Sequence, residues 1–434
     1  MEPFTLGLIG VTALIILLLM GMQVAYAGAL VGTVGLILLL GWESAVGAIG
    51  IMPYEQLSVY PLSVLPMFIL IGFLAFHANL TQGAFHAMRM WFGWAPGGLA
   101  VATVFSAAAF AAVSGSSTST AAIFSRVAIP EMLKNGYNRG FAAGVVAAGG
   151  TLASLIPPSG ILVIYAIIVE ESVGRLLLAG FIPGVLSAII YAISIVIRAK
   201  LNRELAAPIE RVQWGERLKS TKDLWGILAV VGVILGGIYS GRMSPVESGA
   251  VGAFIILILA IFNKMTWPDF KTALGDAARI SIMVLTIIWC ILILVRFLGY
   301  SGLPAQIENW VTSLTVDRFW ILIVILLMYT VLGMFIDAIG MLLLTLPLVH
   351  PIVMSLGYDP IWFGIIVVKM VEIGLITPPI GINVFVVSGV RPDIPLGEIF
   401  RGIWWFFVCD VATVALLIAY PQIVLWLPNN MLGG

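Results

Sequence analysis

At 434 residues, with 61% hydrophobic and only 10% charged side chains, the chain departs far from the soluble norm of about 45–50% apolar and about 25% charged residues, and its composition is that of a membrane protein. Its 21 basic and 21 acidic residues cancel, so nothing in the balance suggests a nucleic-acid partner. Two cysteines, Cys290 and Cys409, and three histidines, His77, His86 and His350, exclude a disulfide framework and leave little for zinc or histidine chemistry.

Apolar runs of about 17–25 residues are the span signal, because a helix rising about 1.5 Å per residue needs about 20 of them to cross the hydrocarbon. In chain order they fall near 3–21, 24–41, 57–76, 176–197, 224–240, 245–262, 280–298 and 402–427. The first could pass for a signal peptide, with Val-Ala-Tyr-Ala at 24–27 as a cleavage site. It lacks a basic n-region and a second span follows at once, so it is expected to stay as a mature helix. Two further stretches, 97–133 and 319–352, carry a polar, Gly-containing kink at 113–120 and 333–340 and read as re-entrant hairpins. Residues 140–169 and 360–390 are interrupted by Pro157-Pro158 and Pro378-Pro379. Each proline pair removes two backbone donors and clashes with the preceding turn, so these read as broken helices.

Lysine and arginine placement orients the spans. The polar segment 198–223 carries Arg198, Lys200, Arg203, Arg211, Arg217, Lys219 and Lys222 and is expected in the cytoplasm. Alternating outward from it puts fifteen of the 21 basic residues inside, leaves Arg175, Arg242 and Arg318 outside, and keeps Arg126, Arg296 and Lys369 within apolar segments. The result is ten crossings with both termini outside, and hairpins entering from opposite faces. A self-comparison at an offset of 221 residues aligns Pro130 with Pro351, Gly136-Tyr137 with Gly357-Tyr358, Pro157-Pro158 with Pro378-Pro379 and Gly160-Ile161 with Gly381-Ile382. In all, nine identities occur in 34 ungapped positions, where apolar bias alone gives roughly three. The predicted sidedness makes the repeat inverted, since the arm near 79–93 carries Arg89 whereas its counterpart near 303–314 carries Glu308 and no basic residue.

Irregular backbone at membrane depth persists where it lines a cavity or binds something. Freed carbonyls and the hydroxyls at 114–120 and Thr377 form oxygen-only donor sets that suit Na⁺, and half-helix amino termini suit anions. The competing reading is that hydroxyls bond back to the preceding turn and proline pairs merely kink.

Taken together, Ser114-Gly115-Ser116-Ser117-Thr118, Leu155-Ile156-Pro157-Pro158-Ser159, Met334-Phe335-Ile336-Asp337 and Leu375-Ile376-Thr377-Pro378-Pro379-Ile380-Gly381 resemble the large membrane subunit of tripartite ATP-independent periplasmic (TRAP) transporters. The resemblance covers essentially the whole chain. It implies an all-α polytopic protein of the bacterial inner membrane with an elevator-type transport domain on a scaffold, two Na⁺ sites, a small organic anion as substrate, a small membrane subunit and a periplasmic substrate-binding protein. The implied organisation is scaffold helices at 1–56, repeats at 57–197 and 280–427, the cytoplasmic loop at 198–223 and connecting scaffold helices at 224–279. Carried over by motif, the first Na⁺ site draws on Ser114, Ser117, Ala153, Ile156 and Pro158, and the second on Gly333, Gly374, Thr377 and Ile380, mostly through backbone oxygens. Ser116, Ser119, Ser159, Asp337 and Asn383 are the expected substrate contacts.

Ionisable residues inside spans demand partners. Lys369 and Glu372, three apart on one helix, are expected to pair with each other. Arg296, Glu247 and Asp410 are expected to pair between helices, Arg126 either meets a substrate carboxylate or snorkels, and Asp337 shapes the second site or caps a helix. A stand-alone dicarboxylate-type carrier or sodium/proton antiporter of the same superfamily is the nearest alternative. An intramembrane serine protease built on Ser-Gly-Ser at 114–116 is remote, because no histidine lies on a motif suggesting a dyad. No Gly-x-x-x-x-Gly-Lys-Ser/Thr loop supports an ATP-driven pump.

Overall fold

The computed structural model describes residues 2–206 and 213–431, and every regular element among them is helical. Part of the 198–223 segment, including Arg211, lies outside the described residues. Three helices open the chain: α1 (Pro3–Leu19), α2 (Val24–Leu40) and α3 (Trp42–Leu57). The first repeat runs α4 (Val64–His77), α5 (Leu80–Phe92), a hairpin of α6 (Gly98–Ser114) and α7 (Ser117–Lys134), a broken helix of α8 (Arg139–Gly150) and α9 (Gly160–Ile168), and α10 (Val173–Leu201). α11 (Trp214–Ser220), α12 (Trp225–Tyr239) and α13 (Pro245–Phe262) connect to the second repeat. There the order recurs as α14 (Trp267–Ser301), α15 (Leu303–Ser313), the hairpin α16 (Arg318–Gly333) and α17 (Ala338–Ser355), the broken helix α18 (Pro360–Ile376) and α19 (Ile382–Val390), then α20 (Leu396–Ala419) and α21 (Gln422–Asn429).

Seven helical stretches are long and apolar enough to cross a membrane, and α1, α2, α6 and α16 are shorter apolar helices. The repeat register holds at residue level. α7 and α17 begin at Ser117 and Ala338 and end at Lys134 and Ser355, each pair 221 apart. Their N-caps correspond as well, Ser116 accepting from the Ser119 amide and Asp337 from the Gly340 amide. Both Pro-Pro bonds, 157–158 and 378–379, are cis.

Hydrophobicity all round a helix predicts burial on every side. α8 is buried from Gly140 to Gly150 and α18 from Ile361 to Ile376, so the two broken helices form the centre. α8 packs on α20 at glycines, where a Cβ on Gly144 would lie 2.5 Å from the Gly402 carbonyl carbon. By contrast, α12, α13, α14 and α16 expose Leu228, Phe254, Ile282 and Val324, as lipid-facing helices do. Trp404, Trp405 and Trp426 are exposed too, fitting interfacial belts. The arm α5 is tied on both sides: His86 Nδ1 lies 3.0 Å from Asp223 Oδ2 beside α11, and Arg89 pairs at 2.6 Å with Glu131 on α7.

Several expectations are corrected. Residues 42–57 form α3, a helix that the span signal passed over because Glu43 and Glu55 interrupt its apolar run. The span near 280–298 is the middle of the 35-residue α14, whose start is fixed by a Thr266–Asp269 capping box. The span near 402–427 is two helices separated at Tyr420-Pro421, where the proline disfavours helical geometry in the residue before it. Lys369 and Glu372 do not pair with each other: Lys369 reaches Asp410 at 2.6 Å, while Glu372 accepts from Ser117 and Ser154. Glu247 caps its own helix through Ser244 rather than bridging helices. Arg296 does bridge, to Glu55 at 3.6 Å and the Ala48 carbonyl at 3.2 Å. Arg126 is exposed, as a snorkelling side chain is.

Candidate ion and substrate site

The first hairpin turns at Gly115, in the left-handed region at φ +59°, and a Cβ there would stand 2.7 Å from the Pro158 carbonyl oxygen. Only a bare backbone can therefore seat the hairpin tip on the first helix break. Around that seat the hydroxyls converge. Ser114 Oγ lies 2.8 Å from Thr120 Oγ1, and Ser117 Oγ lies 2.6 Å from Ser154 Oγ. Ser159 donates to the Ser154 carbonyl at 2.6 Å while capping α9. Ala153, Ile156 and Pro158 are buried beside them, and no backbone amide among the described residues donates to the Ile156 or Pro158 carbonyl. Buried carbonyls without donors are what a cation site requires.

The second hairpin meets its break through two glycines. A Cβ on Gly374 would lie 2.5 Å from Gly333 Cα, so the end of α16 and the end of α18 touch backbone to backbone. No backbone amide among the described residues donates to the Gly333, Thr377 or Ile380 carbonyls. The Thr377 hydroxyl donates to the Ile373 carbonyl at 2.5 Å, keeping its lone pairs free. Break 1 is buried throughout, whereas Pro378, Pro379 and Ile380 are exposed.

Of the expected substrate contacts, Ser116 caps α7, Ser119 is exposed and Ser159 caps α9. Asp337 is exposed and accepts from the Gly340 amide at 3.0 Å, the capping arrangement. Asn383 is fully buried at the start of α19, and neither its amide nitrogen nor its carbonyl oxygen has a partner. A buried amide unpaired at both ends costs several kcal/mol unless something else meets it.

Two participants escaped sequence reasoning: Ser154 altogether, and Glu372 as a member of the first site. Ser117 and Ser154 both donate to Glu372 Oε1, the former at 2.8 Å. The only signal available was an acid inside an apolar run, which announces that a partner exists without naming it. The donor set is hydroxyls, carbonyls and one carboxylate, with no group of three or more His, Cys, Asp or Glu among the described residues. That chemistry fits a hard monovalent cation. A cleft of about 880 Å³, lined by Tyr60, Glu171, Pro245, Leu292, Leu346 and His350 among others, includes none of the hairpin-tip residues.

The family described as "Tripartite ATP-independent periplasmic transporter, DctM component" matches residues 11–423. The chain is 36% identical over 397 residues to the C4-dicarboxylate TRAP transporter large permease protein DctM of Pseudomonas aeruginosa, covering 91% of this chain and 92% of that protein. It is 30% identical over 376 residues to the sialic acid TRAP transporter large permease protein SiaM of Vibrio cholerae, covering 86% and 87%. Among solved structures, the YdaH transporter of Alcanivorax borkumensis superposes with a TM-score of 0.57 at 14% identity, over 89% of this chain and 91% of that one, a likeness of fold. Hairpins seated on broken helices in a repeated order, and a family match spanning nearly the whole chain, make this multi-pass membrane protein a member of the DctM family, the large permease component of TRAP transporters.

Proposed function

We propose that the chain takes up a small organic anion across the bacterial inner membrane, coupled to sodium, by an elevator movement. The observation that carries this is the convergence of unpaired backbone carbonyls and hydroxyls where each hairpin meets its broken helix. Ser114, Ser117, Ala153, Ile156 and Pro158 would hold one Na⁺, and Gly333, Gly374, Thr377 and Ile380 the other. Bound there, the cations supply the positive charge that an anionic substrate needs at a depth where water does not. The chain's own part is to orient that substrate: Asn383 has a free amide for a carboxylate, and Ser116, Ser119 and Asp337 border the hairpin tips. Relatives named for C4-dicarboxylates, sialic acid and isethionate support a carboxylate, sugar acid or sulfonate.

The moving body would be the hairpins and broken helices, sliding on a scaffold of α1–α4 and α12–α14. The cleft takes lining residues from both bodies, Pro245 and Leu292 from the scaffold helices α13 and α14 and Leu346 from α17 of the second hairpin. The arm α5, tied at His86 to Asp223 and at Arg89 to Glu131, links the two bodies. A small membrane subunit and a periplasmic binding protein would complete the system, with both termini periplasmic.

Purified protein with its partners in liposomes is expected to accumulate the anion only under an inward Na⁺ gradient. Uptake unchanged when choline replaces sodium sinks the reading. Thr377→Ala removes one hydroxyl ligand and leaves the carbonyls. It is expected to raise half-saturating Na⁺ severalfold while changing stability by about 1 kcal/mol or less, compared by uptake titration and thermal unfolding.

A further inference from the structure

Among the described residues, one basic and two acidic side chains are fully buried: Lys369, Glu372 and Asp410. Lys369 is committed to Asp410 at 2.6 Å, and Asp410 Oδ1 also accepts from the Tyr191 hydroxyl at 2.5 Å. Lys369, the one fully buried cation among the described residues, thus balances one carboxylate, and Glu372 forms no ion pair among them. Its oxygens are also unequal. Oε1 accepts from both Ser117 and Ser154, while Oε2 has no partner. Around Oε1 the geometry is crowded with acceptors, because Ser117 Oγ and Ser154 Oγ lie 2.6 Å apart. When both hydroxyls donate to Glu372, their contact with each other has no proton to share. A buried cluster of three close oxygens with surplus negative charge and one free carboxylate oxygen is complementary to a small cation.

We propose that Glu372, reaching across from the second repeat, is the anionic ligand of the first cation site, acting together with the hydroxyls of Ser117 and Ser154. This rests on the sodium reading above and adds to it a full charge that the carbonyl set lacks. It also joins the two sites, since Glu372 sits two residues before Gly374, where the second hairpin docks. The second half of the repeat then completes the ion site of the first, and sodium at that site braces α18 against the first hairpin.

The test is thermal unfolding of the purified protein in detergent, titrated with NaCl against choline chloride at constant ionic strength, for wild type and E372Q. Wild type is expected to gain stability with sodium. E372Q keeps an acceptor for both serines but loses the charge. It is expected to melt at or above the wild-type temperature in choline, because no uncompensated carboxylate remains, and to need at least about tenfold more sodium for the same increment. E372D, which restores the charge, is expected to recover a sodium increment. If E372Q responds to sodium with the wild-type half-saturation, the assignment is overturned, whatever its melting temperature in choline. A wild-type chain without any sodium increment overturns the sodium reading beneath it, a separate and visible outcome. Should E372Q fail to accumulate, Ser154→Ala carries the decision: a severalfold rise in half-saturating sodium supports the site, and an unchanged value overturns it.

Discussion

Asp410→Leu is expected to destabilise the protein by about 3–5 kcal/mol, among the largest effects of any single change. The cause is the isolated charge left behind. Lys369 is fully buried, its ammonium is 2.6 Å from Asp410 Oδ1 and 5.4 Å from the ring centre of Tyr191, and Glu372 is engaged by two serines. Removing Asp410 leaves Lys369 unpaired and Tyr191 without its 2.5 Å acceptor. Lys369→Met alone should cost a similar amount by stranding Asp410. The double variant Lys369→Met/Asp410→Leu is expected to recover most of the loss, since replacing a whole buried pair with apolar side chains of similar volume is often neutral or better. A double-mutant cycle on unfolding in mixed micelles measures this. Additive losses in the double variant would show that the two charges do not depend on each other.

The second large effect concerns the seat of hairpin 2. Gly374→Ala places a methyl 2.5 Å from Gly333 Cα and 2.7 Å from the Gly333 carbonyl carbon. These are backbone atoms and cannot rotate aside, so α16 must separate from α18. Overpacking of this kind costs about 1–3 kcal/mol, and the displaced atoms include the proposed ligands of the second sodium. Uptake is expected to fall by about tenfold to a hundredfold at fixed sodium. Gly389→Ala, in the same repeat but with nothing within 4 Å of its Cβ, is the matched control and should transport normally. Equal activity of the two variants would remove the close approach from the mechanism.

Much of the architecture was legible because it is written locally. Proline pairs delete donors wherever they occur, so the breaks at 157–158 and 378–379 could be placed without knowing any neighbour. The glycines that follow the hairpin helices at 136 and 357 recur at the same offset as the proline pairs and carried the repeat with them, and the Ser116 and Asp337 caps extend that register in the structure. Where local rules were misapplied the errors were also local. Tyr420-Pro421 is a helix stop of the same kind, and the capping box at Ser244 and Glu247 follows the usual three-residue spacing.

The partners of the buried charges were a different matter. Spacing of three on a helix makes Lys369 and Glu372 neighbours in principle, yet in a desolvated centre each carboxylate goes where donors are densest. Asp410 lies 41 positions beyond Lys369, and Ser154 lies 218 before Glu372. Hydropathy, proline chemistry and charge sidedness act through the chain's own backbone or through the membrane, so the sequence alone determined a polytopic helical protein, its two hairpins, its two breaks and its repeat. Which buried oxygen faces which hydroxyl depends on helices brought together from opposite ends of the chain. Only the tertiary structure decided that Glu372, on the second repeat's helix, accepts from Ser117 and Ser154 of the first repeat.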